Sequence, residues 1–366
     1  YGLLGTALFN AETWDFLDAA DLDPEYQGVD IVRETMFDKL RALFVSVTPL
    51  QNFFAIASTG TKTNGGNIAV DGIIAFEIPP KVYIEGSELS DPNPIAGSLA
   101  LASMDEQALL VRTNTPSSVP VLQLVYPNLS GSGCTTDAPC LTNGDKNSEY
   151  LPSTNQVPAV VGVDEAFGWL VAIAGDDELV IHRVQADETH ALSISASSLL
   201  DSDALPDEML SNVVLAVGPT QDESYQLALA YIVNDSRVVV HLLTLDTSTG
   251  STTLSIAHTL DLSSMPGGTH TLPQVVWHPL RNEWVLGFLE TSESPERLFM
   301  IRFTQDGTLL DEEAIQVFES RNLQPEISFH FKPIAQGFAV LGYQQSGQAN
   351  EARGNLIGSK FGCSGP

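Results

Sequence analysis

Pro279-Leu-Arg-Asn-Glu-Trp284-Val-Leu recurs without a gap as Pro49-Leu-Gln-Asn-Phe-Phe54-Ala-Ile and as Pro333-Ile-Ala-Gln-Gly-Phe338-Ala-Val. Gly168-Trp169-Leu-Val repeats the second half of the same phrase. Phe54, Trp169 and Trp284 follow one another at intervals of 115 residues, Leu110 and Tyr225 fall midway, and Phe338 follows Trp284 by 54. The chain therefore has a period of roughly 57 residues, from about residue 36 to its end. A repeat of this length is one supersecondary unit, which hides its apolar faces only by stacking on its neighbours.

The unit reads most clearly from Leu272 onward. Gln274–His278 is a short strand, residues 279–282 a turn, and Trp284–Leu289 a second strand that is apolar apart from its glycine. Arg297–Phe303 is a third strand, Gln305-Asp-Gly-Thr308 a hairpin turn, and Leu309–Phe318 contains a fourth. Four antiparallel strands in 40–60 residues describe a blade of a β-propeller, whose inner strands are apolar on both sides because neighbouring blades cover both faces. The expected fold is all-β, a single six-bladed propeller over residues 1–366. Its blades fall at 41–92, 93–155, 156–207, 208–268, 269–321 and 322–363. The last blade reads one strand short, and the apolar run Gly2–Phe9 is expected to supply that strand and close the ring. Residues 10–40 form an acidic connector, with helical spacing at Val29, Val32, Met36 and Leu40. Their length leaves seven blades as the alternative count. Long amphipathic helices at regular spacing and alternating strand–helix order are both missing, which excludes a helical solenoid and a doubly wound sheet.

Forty-six Asp and Glu face sixteen Lys and Arg, for a net charge of −30 and a pI near 4.2. Only six residues are lysine. Such a surface repels nucleic acid and anionic membranes, and no run approaches the ~20 apolar residues of a membrane-spanning helix. It suits a salty medium, where the repulsion is screened. The chain starts at Tyr1, as expected of a mature exported protein whose leader has been removed. Cys134 and Cys140, with five residues between them in a polar loop, are expected to form a disulfide, in keeping with an extracellular or cell-surface location. The third cysteine, Cys363, is either idle or bridged to another subunit. Asn128-Leu-Ser and Asn234-Asp-Ser are glycosylation sequons.

Candidate chemistry is sparse. His278 and His330 stand near the ends of first strands in adjacent repeats and form a candidate polar pair at a channel mouth; a metal there would need further ligands. Calcium is a candidate cofactor at Asn143, Asp145, Asn147 and Glu149, or at Asp18, Asp21 and Asp23. Alternating Asp and Asn in a loop can supply the oxygens it requires, although neither segment completes a helix–loop–helix site. His182 and His241 read as structural. No catalytic residue is assigned: the sequence has no G-x-S-x-G elbow, no Gly-rich phosphate loop and no sialidase-type S-x-D-x-G-x-T-W box.

Pro273-Gln-Val-Val with Trp284 and Asp306-Gly-Thr308, Pro325-Glu-Ile-Ser with Phe338, and Pro158-Ala-Val-Val with Trp169 resemble the divergent β-propeller repeats of secreted and surface bacterial proteins. The resemblance covers most of residues 40–361, with departures at Leu110 and Tyr225. It implies a propeller fold and export, and it transfers no catalytic residue. The function expected is therefore non-catalytic: a binding module, or a structural subunit of a surface assembly whose partners are other protein subunits or further copies of the chain. A secreted hydrolase or lyase and a calcium-dependent carbohydrate-binding module are the alternatives.

Overall fold

The computed structural model describes residues 40–50, 53–62, 68–77, 83–88, 99–104, 106–113, 119–128, 140–154, 156–175, 178–200, 205, 210–221, 224–234, 236–247, 252–262, 270–290, 296–320, 329–334, 337–345 and 354–362. These residues form six antiparallel sheets, each laid down as a meander in which sequence neighbours pair. The first contains β1 (Leu40–Leu50), β2 (Phe53–Lys62), β3 (Ile68–Glu77) and β4 (Tyr83–Glu88); the second contains β5 (Leu99–Met104), β6 (Gln107–Arg112), β7 (Val121–Asn128) and β8 (Cys140–Asn147). The third contains β9 (Ala159–Asp164), β10 (Gly168–Ala174), β11 (Leu179–Ala186) and β12 (Leu192–Ile194); the fourth, β13 (Leu210–Gln221), β14 (Ser224–Val233), β15 (Arg237–Asp246) and β16 (Thr253–Asp261). β17 (His270–His278), β18 (Glu283–Glu290), β19 (Glu296–Phe303) and β20 (Ile315–Ser320) make the fifth, and β21 (Phe329–Ile334), β22 (Gly337–Gln345) and β23 (Gly354–Gly362) the sixth. No sheet closes on itself. Among the described residues no helix is long and apolar enough to cross a membrane. Apart from Leu40, which opens β1, the expected closing strand 1–9 and the connector 10–40 lie outside the described residues.

The repeat anchors all fall on second strands: Phe54 on β2, Leu110 on β6, Trp169 on β10, Tyr225 on β14, Trp284 on β18 and Phe338 on β22. All but Leu110 occupy the second position of their strand; Leu110 occupies the fourth, so the second repeat is offset by two residues.

The chain divides into two compact units, Tyr1–Val171 with His182–Ser197, and Ala172–Ile181 with Ser198–Pro366. Within the first, the leading strands β1, β5 and β9 are neighbours in that order. Trp169 hands its indole N–H to the Ala102 carbonyl of β5 (3.2 Å), and a side chain at Gly162 would strike the Ser103 carbonyl. Within the second, β13, β17 and β21 are neighbours in the same way. There β18 shows why an apolar run is required. Trp284, Leu286 and Phe288 pack into a core shared with the fourth sheet, while Val285 and Leu289 on the other side pack against Phe329, Phe331, Phe338 and Val340 of the sixth. Gly287 is the one position on that second side where a side chain has no room, because Phe331 occupies its place. The neighbouring sheets are also pinned by glutamines. Gln226 accepts from the Trp284 indole (3.3 Å) and donates to the Gln305 carbonyl (2.5 Å), and Gln274 accepts from the Phe331 amide (3.3 Å).

The Asp306-Gly-Thr308 turn is as the sequence predicts, with Gly307 at φ 81° and the Asp306 carboxylate accepting from the Thr308 amide (3.2 Å) and the Thr304 hydroxyl. The Thr304 bond, with those from Thr308, holds the Asp306 carboxyl below the usual carboxylate range. Asp187-Glu-Thr189 in the third sheet is a second instance of the same device, with Asp187 accepting from the Thr189 amide (2.8 Å) and hydroxyl (2.7 Å).

Candidate functional site

The structure changes the surroundings of several expected site residues. Cys134 lies outside the described residues, as do Asp18, Asp21 and Asp23. Cys140 opens β8 opposite Asn128. Of the candidate calcium residues, Asn143, Asp145 and Asn147 lie on that strand and Glu149 follows it; Asn143 pairs with Val125, Lys146 with Gln123 and Asn147 with Leu122. The Asn147 amide is already engaged, donating to the Leu192 carbonyl (2.9 Å) and accepting from the Glu149 amide (2.8 Å). The backbone there is part of a β-ladder. Among the described residues no group of three or more His, Cys, Asp or Glu side chains is arranged to hold a metal ion.

His278 and His330 do not form a pair. His278 ends β17 beside the turn and faces Glu283 across the ladder, whereas His330 is the second residue of β21, opposite Leu341. The residue of β21 level with His278 is Ile334, whose carbonyl accepts from His278 Nε2 at 2.9 Å. Four residues of strand separate Ile334 from His330, about 13 Å at the usual rise. Spacing from the aromatic anchors misled here: Trp277 and Pro333 are the equivalent residues, each paired with its anchor, which makes Gln274 the counterpart of His330. Since a carbonyl only accepts, Nε2 of His278 donates to it, and the other ring nitrogen is Nδ1. That nitrogen is buried without a hydrogen-bond partner, and the ring stands edge-on to Phe338 at 4.9 Å.

Among the described residues, an ionisable cluster of two arginines and two carboxylates lies at the same end of the fifth sheet. Glu283, almost fully buried, accepts from Arg281 Nε (2.8 Å) and lies 3.7 Å from Arg302 Nη1. Arg302 grips Asp311 through Nε (3.1 and 3.2 Å) and Nη2 (2.6 Å), and its backbone amide donates to the same carboxylate (2.9 Å). Two guanidinium groups and two carboxylates thus link the turn before β18 to the connection after β19. Each carboxylate is held by a guanidinium. What the cluster does is hold two loops in one geometry. Replacing Asp311 by alanine should cost about 2 kcal/mol in urea unfolding, since a charge-assisted fork at a half-buried arginine is lost. Sequence reading missed this group because Glu283 and Arg302 are 19 residues apart along the first strand pair and Arg302 and Asp311 are 9 apart along the second. The signal available was weak, an Arg281-Asn-Glu283 turn facing Arg302 across one hairpin.

A second buried polar group crosses three strands of the fourth sheet. Tyr231 Oη lies 2.6 Å from His241 Nε2, and His241 Nδ1 lies 2.8 Å from Thr259 Oγ1. Burial pushes the His241 imidazole down from 6.5 to about 4, so it is neutral near pH 7. His182 is similarly engaged, with Nδ1 2.9 Å from the Ser195 carbonyl. Both histidines serve structural bonding.

No protein-family model and no curated protein matches this sequence. Solved structures do match. A Trypanosoma rangeli sialidase in complex with sialic acid superposes with a TM-score of 0.52 at 10% identity, over 87% of this chain and 53% of that one. The chain thus spans about half the length of that sialidase. AofleA from Arthrobotrys oligospora superposes with a TM-score of 0.50 at 10% identity, over 88% of each chain. The fucose-specific lectin of Aleuria aurantia matches at 0.44 and 9% identity, over 87% of this chain and 95% of that one. These neighbours are β-propeller proteins, and at such identities the likeness is one of fold alone. The four-stranded antiparallel sheets, the neighbouring leading strands and these superpositions agree: the chain has a β-propeller fold.

Proposed function

We propose that this chain is a non-catalytic extracellular propeller that acts as a binding module or as a structural subunit of a surface assembly. The observation that carries the reading is where the polar groups of the fifth sheet go. Its buried carboxylates are neutralised by arginines of the same sheet, Glu283 by Arg281 and Arg302 and Glu290 by Arg297 (2.8 Å), while leucines are exposed on the two connections that the Glu283 group links. Such a construction favours presentation of a surface over proton transfer. In this reading the six sheets are six blades, Gly2–Phe9 adds the fourth strand of the sixth and closes the ring, and Cys134 is joined to Cys140. The partners are protein subunits, and the net charge of −30 makes assembly of like copies dependent on salt or divalent cations.

Sedimentation velocity at low and high salt, with and without calcium, is the test. The subunit form of the proposal expects assembly to tighten as charge is screened. A strict monomer in all four conditions leaves a monomeric binding module. Turnover of a fluorogenic glycoside that is abolished by one carboxylate substitution would overturn the non-catalytic reading itself.

A further inference from the structure

We propose that the end of the fifth sheet made by the β17–β18 turn and the β19–β20 connection is a docking surface for a protein segment carrying lysine or arginine beside apolar side chains. The inference rests on the binding reading above and names the place and the partner's chemistry. Among the described residues, seven large hydrophobic side chains are exposed, and four of them belong to this one sheet: Leu280, Leu309, Leu310 and Ile315. Leu280 is the most open of the seven at 75%, and Leu309 and Leu310 are exposed at 41% and 44%. Single exposed leucines are ordinary; several on two adjoining connections are not.

The connections adjoin because of the register. Trp284, two residues after the first turn, pairs with Phe303, the last residue of β19. Past the hairpin the chain turns back along β19, with Leu309 bridged to Phe303 and the Leu310 amide donating to the Arg302 carbonyl at 2.9 Å. Beneath them runs the Arg281–Glu283–Arg302–Asp311 clamp, which fixes both connections before any partner arrives. A pre-ordered apolar surface loses little conformational entropy on binding.

The charge around the leucines selects the partner. Asp306, Glu312 and Glu313 are exposed beside them, and the clamp's own charges cancel. The local field is acidic, on a chain of net charge −30. A second copy would meet this surface with like charge, whereas a basic apolar segment meets it with opposite charge and matching apolar contacts.

The full chain would be titrated, by fluorescence anisotropy at physiological salt, with an 18-residue amphipathic Leu/Lys peptide, a Leu/Ser peptide of the same length and an 18-residue polylysine. The Leu/Lys peptide should bind at least tenfold more tightly than either control. L280S and the double variant L309S/L310S should each weaken it severalfold and leave the thermal midpoint unchanged, because the side chains removed are exposed. Polylysine binding as tightly as the Leu/Lys peptide, or variants binding like the parent, would overturn the proposal in favour of diffuse charge attraction. Self-association abolished by L309S/L310S would also overturn it, making a second copy the occupant. If the peptide fails while the chain still assembles in sedimentation, the docking surface is wrong and the subunit form of the non-catalytic reading stands. Glycoside turnover would remove that reading without touching the peptide result.

Discussion

Replacing Trp284 by alanine should cost the fold about 3–5 kcal/mol, the largest effect expected of a single substitution here. The indole is completely buried. It stacks on Phe303 (6.4 Å between centroids, 15° between planes) and meets Trp277 edge-on at 5.1 Å. A side chain at Gly218 of β13 would collide with its six-membered ring, so the ring packs directly against that backbone. Alanine would therefore open a cavity between the fourth and fifth sheets and also strand the Gln226 carbonyl oxygen, which accepts from the indole. Urea unfolding followed by far-ultraviolet circular dichroism measures the cost. Trp284→Phe, which keeps most of the volume and loses only the N–H, should fall well short of it. A cost for Trp284→Ala below about 1 kcal/mol would mean that the two sheets are not held together at this ring.

Trp284 also explains how much of the fold could be read from the chain. An aromatic stands at the second position of the second strand in five of the six sheets, with Leu110 in its place in the other, so it recurs as a letter at a near-fixed period. The apolar runs of β10, β14 and β18 recur for the same reason: both faces are covered. Outer strands carry no such requirement. β8 is an outer strand whose sequence carries Asn, Asp and Lys in place of an apolar run, and Asn143, Asp145, Asn147 and Glu149 consequently read as candidate calcium ligands. β16, with exposed Ser255, Ala257 and Thr259, is equally quiet in the sequence. The ionic clamp was illegible for a different reason. Its four residues meet only once β17, β18 and β19 are in register, and a shift of two residues would part Glu283 from Arg302. The histidine pair failed for the same reason in reverse. Their positions look alike when counted along the chain and differ by four residues when counted across the ladder.

Acid should destabilise this protein through His241 well above the pH at which its carboxylates take up protons. The imidazole sits between Tyr231 and Thr259 with no charged partner contributing, and burial alone lowers it from 6.5 to about 4. An unfolded chain binds a proton at this residue near pH 6.5, and the folded chain refuses it until about pH 4. Between those values the unfolded state holds more protons, so stability falls as pH falls, by about 1.4 kcal/mol per pH unit. The total is about 3 kcal/mol, complete by pH 4, and above pH 6.5 the residue contributes no pH dependence. Asp187 and Asp306 act in a lower window. Hydrogen bonds from the Thr189 and Thr304 hydroxyls lead in holding their carboxyls down, so the stability they confer is intact above pH 3.8 and disappears only as pH falls further. The two effects are therefore separable in urea titrations run from pH 7.5 to 3. His241→Gln keeps hydrogen-bonding groups between the same two hydroxyls but has no proton to gain. Its stability should stay level from pH 6.5 to 4 apart from the losses it shares with the parent protein. A parent and variant that decline in parallel across that interval would show that His241 takes up its proton in the folded state, and that the Tyr231–His241–Thr259 chain accommodates the charge.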